Sequence, residues 1–182
     1  MPVCQTPNDT SNLQLTGLSV LSDIEQFAAF MRLLAPPTPS ATVPGGSDSI
    51  RRGLAAFNQA GCGLCHTPAL RTGNATIAAL SGKVANLFSD LAVHHMGPGL
   101  ADGITQGQAG PDEFRTAPLW GLGKRAFFLH DGRTSDLVVA IHQHRSGPSA
   151  ATAASEANAV INNFDMLPDT SQQDLLNFLR SL

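Results

Sequence analysis

The 182-residue sequence predicts an all-α domain whose helices are joined by long ordered loops. Three observations predict it. Apolar residues recur at helical spacing in several segments. No stretch of useful length alternates apolar and polar residues with period two. The 17 Gly and 12 Pro require many turns between the helices. Charged residues make up only 14% of the chain, below the roughly 25% usual in globular proteins. Nine Phe, one Trp and no Tyr are few aromatics for a large core, so a bound apolar group can supply bulk that the side chains do not.

Taken in order, residues 1–20 are polar and unpatterned and are expected to wrap over the surface. Ser22-Asp23-Ile24-Glu25 reads as a capping box, in which the first and fourth side chains satisfy each other's backbone N–H. An amphipathic helix follows, with Ile24, Ala28 and Met31 flanked by Phe27 and Leu34, and it ends at Pro36-Pro37. Residues 35–46 read as a Pro-rich linker or extended loop. The chain thus divides into an N-terminal extension, 1–46, and a main domain, 47–182. In the latter, a helix from about Asp48 to Asn58, capped by Ser47, carries Ile50, Leu54 and Phe57 at helical spacing. The loop-rich stretch 67–112 holds one short helical candidate, Leu87 to Val93. A third firm helix is expected from Thr134 or Ser135 to about His144, and a short one over Ser155 to Ile161. The last begins at Thr170, with Gln173 three residues on, and presents Leu175, Leu179 and Leu182 on one face.

The net charge of -3, with no block of Lys or Arg, excludes nucleic acid and anionic membranes as expected partners. No apolar run reaches membrane-spanning length.

The helix ending near Asn58 leads into Cys62-Gly63-Leu64-Cys65-His66. Cys-x-x-Cys-His reads as a c-type haem attachment site. Two thiols must add to vinyl groups on neighbouring pyrroles, and the next residue must bring an imidazole to the iron from the same side. Gly61 and Gly63 allow close approach of the backbone. The expected cofactor is one covalent haem c, attached at Cys62 and Cys65 and ligated by His66. The rival is zinc held by Cys62, Cys65 and His66 with His94 or His95. A thioredoxin-like dithiol lacks the strand and βαβ context it needs. Cys4 is left over, either a free thiol or a partner for a cysteine outside this chain. The chain start has neither a charged nor an apolar leader region. Covalent haem is assembled outside the cytoplasm, so a periplasmic or otherwise exported location is expected, with the signal removed or the chain a piece of a longer protein.

The second axial position sets much of the iron's chemistry, because Met there raises the potential relative to His. Candidates are His94, His95, Met96, His130, His142, His144 and Met166. His142 and His144 both lie near the edge of the apolar face that begins at Leu137, and periodicity does not choose between them. Met166, before Pro168 and the closing helix, is either a ligand or a core methionine.

The block Glu113-Phe114-Arg115-Thr116-Ala117-Pro118-Leu119-Trp120-Gly121-Leu122-Gly123 carries a family resemblance. So do Leu129-His130-Asp131-Gly132-Arg133, Met96-Gly97-Pro98-Gly99-Leu100-Ala101-Asp102 and Met31-Arg32-Leu33-Leu34-Ala35-Pro36-Pro37. With the Cys-x-x-Cys-His motif and the ending Phe178-Leu179-Arg180-Ser181-Leu182, they resemble the C-terminal haem domain of the di-haem oxidoreductases, a peroxidase-like family related to bacterial di-haem cytochrome c peroxidases. The resemblance implies a cytochrome c-like helical fold. It implies that His144, fourteen residues after His130, is the distal ligand of a bis-histidine iron, His66 and His144, where many relatives have Met. It further implies that this domain passes single electrons to a second, peroxide-meeting haem domain or to a redox partner protein. The family's N-terminal haem domain is absent from this chain. His95 stands where relatives more often have Asp, and Lys124-Arg125-Ala126-Phe127-Phe128 gives little support for the relatives' calcium.

Arg115, and more weakly Arg133, can pair with a haem propionate through charge-assisted hydrogen bonds. Trp120 can pack on the haem edge, and His130 can hydrogen-bond a propionate or simply shape the His-Asp-Gly turn. The leading reading is a haem electron-transfer domain. The alternatives are a stand-alone haem peroxidase and a zinc-stabilised interaction domain.

Overall fold

The computed structural model of the chain describes residues 23–182. The expected surface wrap, Cys4 and the capping residue Ser22 lie outside them. The described residues fall into two compact units. The smaller takes residues up to Pro36 together with Gly73–Lys83. It contains helix α1, Asp23–Leu33, where the amphipathic helix was expected, with the Phe27 and Phe30 rings 6.4 Å apart. It also contains a loop closed by Gly82 N–H donating to the Gly73 carbonyl at 3.1 Å.

The larger unit, Pro37–Thr72 with Val84–Leu182, holds the core. Its helices are α2 (Gly46–Ala60), α3 (Leu137–His142), α4 (Asn158–Asp165) and α5 (Asp169–Ser181). Short 3-10 turns cover Cys62–Leu64 and Leu122–Lys124. The strands are β1 (Leu70–Arg71), β2 (Val84–Ala85), β3 (Val93–His95) and β4 (Glu113–Arg115). They pair antiparallel as β1–β2 and β3–β4. The all-α expectation is therefore corrected to a mainly helical fold with two small sheets. Strands of two or three residues are too short to write a period-two pattern.

Helix α2 starts two residues before the expected Asp48. Its N-cap is Gly45 in the left-handed region, with no side-chain cap, so Ser47 lies inside the first turn rather than capping it. The buried stripe also differs from the expected one. It consists of Ser49, Gly53, Ala56, Phe57 and Ala60, whereas Leu54 is exposed. The reason is the close crossing of α2 and α5. A Cβ on Gly53 would stand 2.0 Å from the Asp174 carbonyl oxygen. Around this contact Ser49 Oγ donates to Asp174 Oδ1 at 2.5 Å and Arg52 Nε to Asp174 Oδ2 at 2.6 Å. Small residues are selected where backbones nearly touch, and Phe57 then interlocks with Phe178, ring centroids 5.4 Å apart.

Leu87 to Val93 is not helical. Phe88 and Leu91 take positive φ, 53° and 60°. The Ser89 and Asp90 side chains accept from the N–H groups of Leu91 and Ala92, the local competition by which Ser and Asp divert a backbone from helix. Helix α3 begins later than expected because Asp136 is its N-cap, accepting from Val138 and Val139 N–H. Helix α4 lies about three residues beyond the expected short helix. Helix α5 begins at Asp169, one residue before the expected Thr170, and buries Leu175 and Leu179 as expected, with Leu182 buried just past its end. Gln173 turns to Asn177, and it is Gln172 that ties the helix to the preceding one, donating to the carbonyls of Phe164 and Leu167.

Gly53→Ala is expected to lower stability by about 1–3 kcal/mol, the usual cost of overpacking. Gly73→Ala, where an added Cβ meets nothing within 4 Å, is expected to change it by less than about 0.5 kcal/mol. Urea unfolding of the two variants beside the parent checks both.

Candidate functional site

Helix α2 ends at Gly61, whose φ of 98° closes the helix in the left-handed region and turns the chain into the cysteine motif. Gly63 lies close to α2: an added Cβ would be 3.1 Å from Asn58 Oδ1. His66 N–H donates to the Cys62 carbonyl at 2.9 Å, and Asp90 N–H to the Cys65 carbonyl at 2.8 Å. The motif is thus a closed turn pinned by the 88–90 loop. Cys62 packs against the hydrophobic core.

His66 is held by one hydrogen bond. Its Nδ1–H donates to the Phe88 carbonyl at 3.0 Å. The Phe57 ring packs beside it, centroids 6.4 Å apart, and Phe88 and Phe178 complete an aromatic cluster behind. Burial pushes the His66 imidazole down to about 4, with the charge of His144 contributing in the same direction. His144, just past the end of α3, follows the same plan. Its Nδ1–H donates to the Ala140 carbonyl at 2.8 Å, and burial holds its pKa below the ordinary histidine value. A carbonyl can only accept, so Nδ1 carries the proton in both rings. A neutral ring then leaves its lone pair on Nε2, the state in which an imidazole ligates a metal.

The other histidines are engaged differently. His94 lies between two carboxylates, Nδ1 to Glu156 Oε2 at 2.7 Å and Nε2 to Asp90 Oδ2 at 2.9 Å. Its hydrogen bond to Glu156 first, and then Asp90, raise its pKa. His95 Nδ1 meets the buried Asp112 at 3.0 Å, which raises that ring too. His142 Nε2 donates to Asp165 Oδ1 at 2.9 Å. His130 is exposed and stacks on Phe114, centroids 4.4 Å apart and planes 27° apart. Met96 is buried. Met166 is 75% exposed at the end of α4, beside Gln59, Asn163 and Leu167, so it is not a core methionine.

Of the proposed haem contacts, Arg115 is exposed on β4 and its guanidinium donates to the Leu91 carbonyl at 2.8 Å. Arg133 is committed to Asp131 and to the Gly99 carbonyl. Trp120 is half-buried just before the Leu122 turn. His130-Asp131-Gly132 forms a turn, Gly132 N–H donating to the Leu129 carbonyl at 3.3 Å.

Burial pushes the Cys62 thiol up to about 11 and raises Cys65, where Asp90 and Glu156 add to the effect. Both sulfurs are therefore protonated thiols at neutral pH rather than thiolates. The expected zinc set is not assembled. Among the described residues, a different group, Cys65, Asp90 and His94, brings its ligand atoms within 4.8 Å of one another. Cys62, His66 and His95 are not in it. Sequence reasoning missed Asp90 and Glu156, the carboxylates that claim His94. The only signal is their scattered placement before β3 and before α4, which no local pattern links.

A family model described as "Di-haem oxidoreductase, putative peroxidase" matches residues 24–182. The chain belongs to the di-haem oxidoreductase family. No curated protein sequence matches it. Among solved structures, a chain of hydrazine synthase from Kuenenia stuttgartiensis, studied under 20 bar of xenon, is similar, with TM-score 0.55 and 17% identity. The likeness covers 90% of this chain and 57% of that one. This family member therefore spans little more than half the length of that relative, and at this identity the likeness concerns the fold. Among the described residues no helix is long and apolar enough to cross a membrane.

The donor set is of the kind a haem takes: two imidazoles whose Nε2 makes no hydrogen bond among the described residues, and two thiols separated by two residues. It also predicts a pH dependence. The folded His66 value, about 4, lies below the ordinary 6.5. Its contribution to stability is therefore complete above about pH 6.5 and lost as pH falls toward 4. The loss is on the order of 3 kcal/mol. His94 and His95 run the other way, contributing at low pH and ceasing to do so as pH rises through their elevated folded values. In the chain without haem, the urea midpoint is expected to fall between pH 6.5 and 4, and His66→Gln is expected to flatten that fall.

Proposed function

We propose that this chain is a c-type haem electron-transfer domain, with one haem bound covalently through Cys62 and Cys65 and ligated axially by His66 and His144. The observation that carries this reading is the shared geometry of the two histidines. Each is half-buried, each gives Nδ1–H to a backbone carbonyl, and each keeps Nε2 unengaged by any hydrogen bond among the described residues. The remaining histidines have a carboxylate or a ring as partner. The half-buried apolar side chains Phe88, Leu119, Phe128, Val138 and Ile141 fringe the core and suit the face of a macrocycle. The haem-binding part is residues 47–182 of a cytochrome c-like domain, with 1–46 an extension.

Cys62 and Cys65 would hold the haem through two thioether bonds, each S–H adding across one vinyl group, sulfur to one carbon and hydrogen to the other. The haem, once bound, supplies a one-electron ferric/ferrous couple. The protein's part is to hold both imidazoles neutral and to keep water from His66 with the Phe57, Phe88 and Phe178 cluster. In this reading Arg115 and His130, both exposed, would meet propionates, and Trp120 would lie along the electron route. Family membership supports a peroxidase-like oxidoreductase context. With one Cys-x-x-Cys-His motif in the sequence, this chain serves a second haem domain or a redox partner protein in an exported compartment.

Protein produced with haem assembly is expected to gain the mass of one haem, and Cys62→Ala or Cys65→Ala to lose part or all of the covalent attachment, read by mass spectrometry. His144→Ala is expected to turn a six-coordinate low-spin absorption spectrum into one with an open position, whereas Met166→Ala leaves it unchanged. Peroxide turnover by the isolated chain with a reduced donor would favour the stand-alone peroxidase instead. One observation favours a second reading, a zinc-stabilised domain: the approach of Cys65, Asp90 and His94. Metal analysis showing zinc and no iron in fully matured protein would establish it and remove the haem.

A further inference from the structure

Helix α3 has only six residues and ends at His142. His144 lies beyond its last full turn, in a segment that by itself would fray. Polar side chains from α4 and the turn before it converge on this segment. The buried Ser155 donates its Oγ–H to the carbonyl of His144 itself at 2.6 Å. Asn158 brackets Ser146, its Oδ1 accepting from Ser146 N–H and its Nδ2 donating to the Ser146 carbonyl, both at 2.9 Å. Asp165 takes His142 Nε2–H at 2.9 Å on one oxygen and the Arg145 guanidinium at 2.5 Å on the other. The residues on both sides of His144 are thus fixed from one neighbouring element, and so is its own carbonyl.

We infer that Ser155, Asn158 and Asp165 are positioning residues that hold His144 on the iron's sixth position by clamping segment 142–146 to α4. The inference rests on the reading of His66 and His144 as the axial pair. Its physical basis is that an external ligand enters a six-coordinate iron only during the fraction of time for which the protein's own ligand is away. Loosening the segment raises that fraction without altering the imidazole itself. Removing the two exposed contacts of Asp165 is expected to raise it about fivefold.

The test uses the full, haem-loaded chain and carbon monoxide binding to its reduced form. Asp165→Ala and Asn158→Ala are each expected to speed binding about fivefold and to increase the high-spin share of the oxidised spectrum. Asp165→Glu, which keeps a carboxylate, is expected to restore most of the parent behaviour. Arg52→Ala breaks the Arg52–Asp174 pair between α2 and α5 and leaves segment 142–146 untouched. It is expected to lower stability with the binding rate unchanged, which separates positioning from mere weakening of the fold. The inference is overturned if Asp165→Ala and Asn158→Ala bind carbon monoxide at the parent rate while His144→Ala binds it much faster. If His144→Ala itself leaves rate and spectrum unchanged, the axial assignment fails, and the clamp has no ligand to position.

Discussion

The close contact of α2 with α5 at Gly53 is the constraint on which the arrangement depends. A methyl group there would collide with backbone, which cannot swing aside as a side chain can. The contact fixes where α2 ends, and so where the cysteines and His66 stand. Helix α5 repeats the device at its far end, where an added Cβ on Gly123 would lie 2.0 Å from the Arg180 carbonyl oxygen. Gly121 N–H meets the Leu182 carbonyl at 2.7 Å on the same side. One helix therefore serves as the template for the loop before the first cysteine and for the turn after Trp120.

The histidines are sorted by what their nitrogens face. A backbone carbonyl holds an imidazole in place without adding a full negative charge, so burial prevails and the ring stays neutral. A carboxylate favours the imidazolium. His66 and His144 belong to the first kind, His94 and His95 to the second. The protein thus keeps rings whose pKa burial lowers and rings whose pKa carboxylates raise within one unit. The partner atom decides the chemistry, since residue type is the same in every case.

Much of this was legible in the sequence where the information is local. The spacing of Cys62, Cys65 and His66, the apolar face of α5 and the helix leading into the motif could all be read directly. The buried face of α2 could not, because Gly53 is required by the backbone of Asp174 and Ser49 by its carboxylate, both far away in the sequence, rather than by hydrophobicity. Three-residue strands leave no periodic trace. His142 and His144 looked equivalent on the α3 face. They are distinguished by Asp165, which captures the former from another helix, and by the Ala140 carbonyl, which the latter reaches from beyond the helix end. Asp90 and Glu156 were missed for the same reason: they meet His94 from separate loops.

The β3–β4 pairing has a consequence of its own. His94 and His95 are consecutive in a strand, so their side chains leave on opposite faces, one toward Cys65 and Glu156, the other toward Asp112. The ladder is pinned beyond both ends, by Thr116 N–H on the Ala92 carbonyl and by Met96 N–H on the Asp112 carbonyl. A slip by a single residue would put Val93 or His95 in the place of His94, and correspondingly His94 or Met96 in the place of His95, so that one of the two carboxylate sites would always meet an apolar side chain. A sheet of six residues thus acts as an alignment key: its smallness leaves no room for a second register that keeps both rings on their own carboxylates.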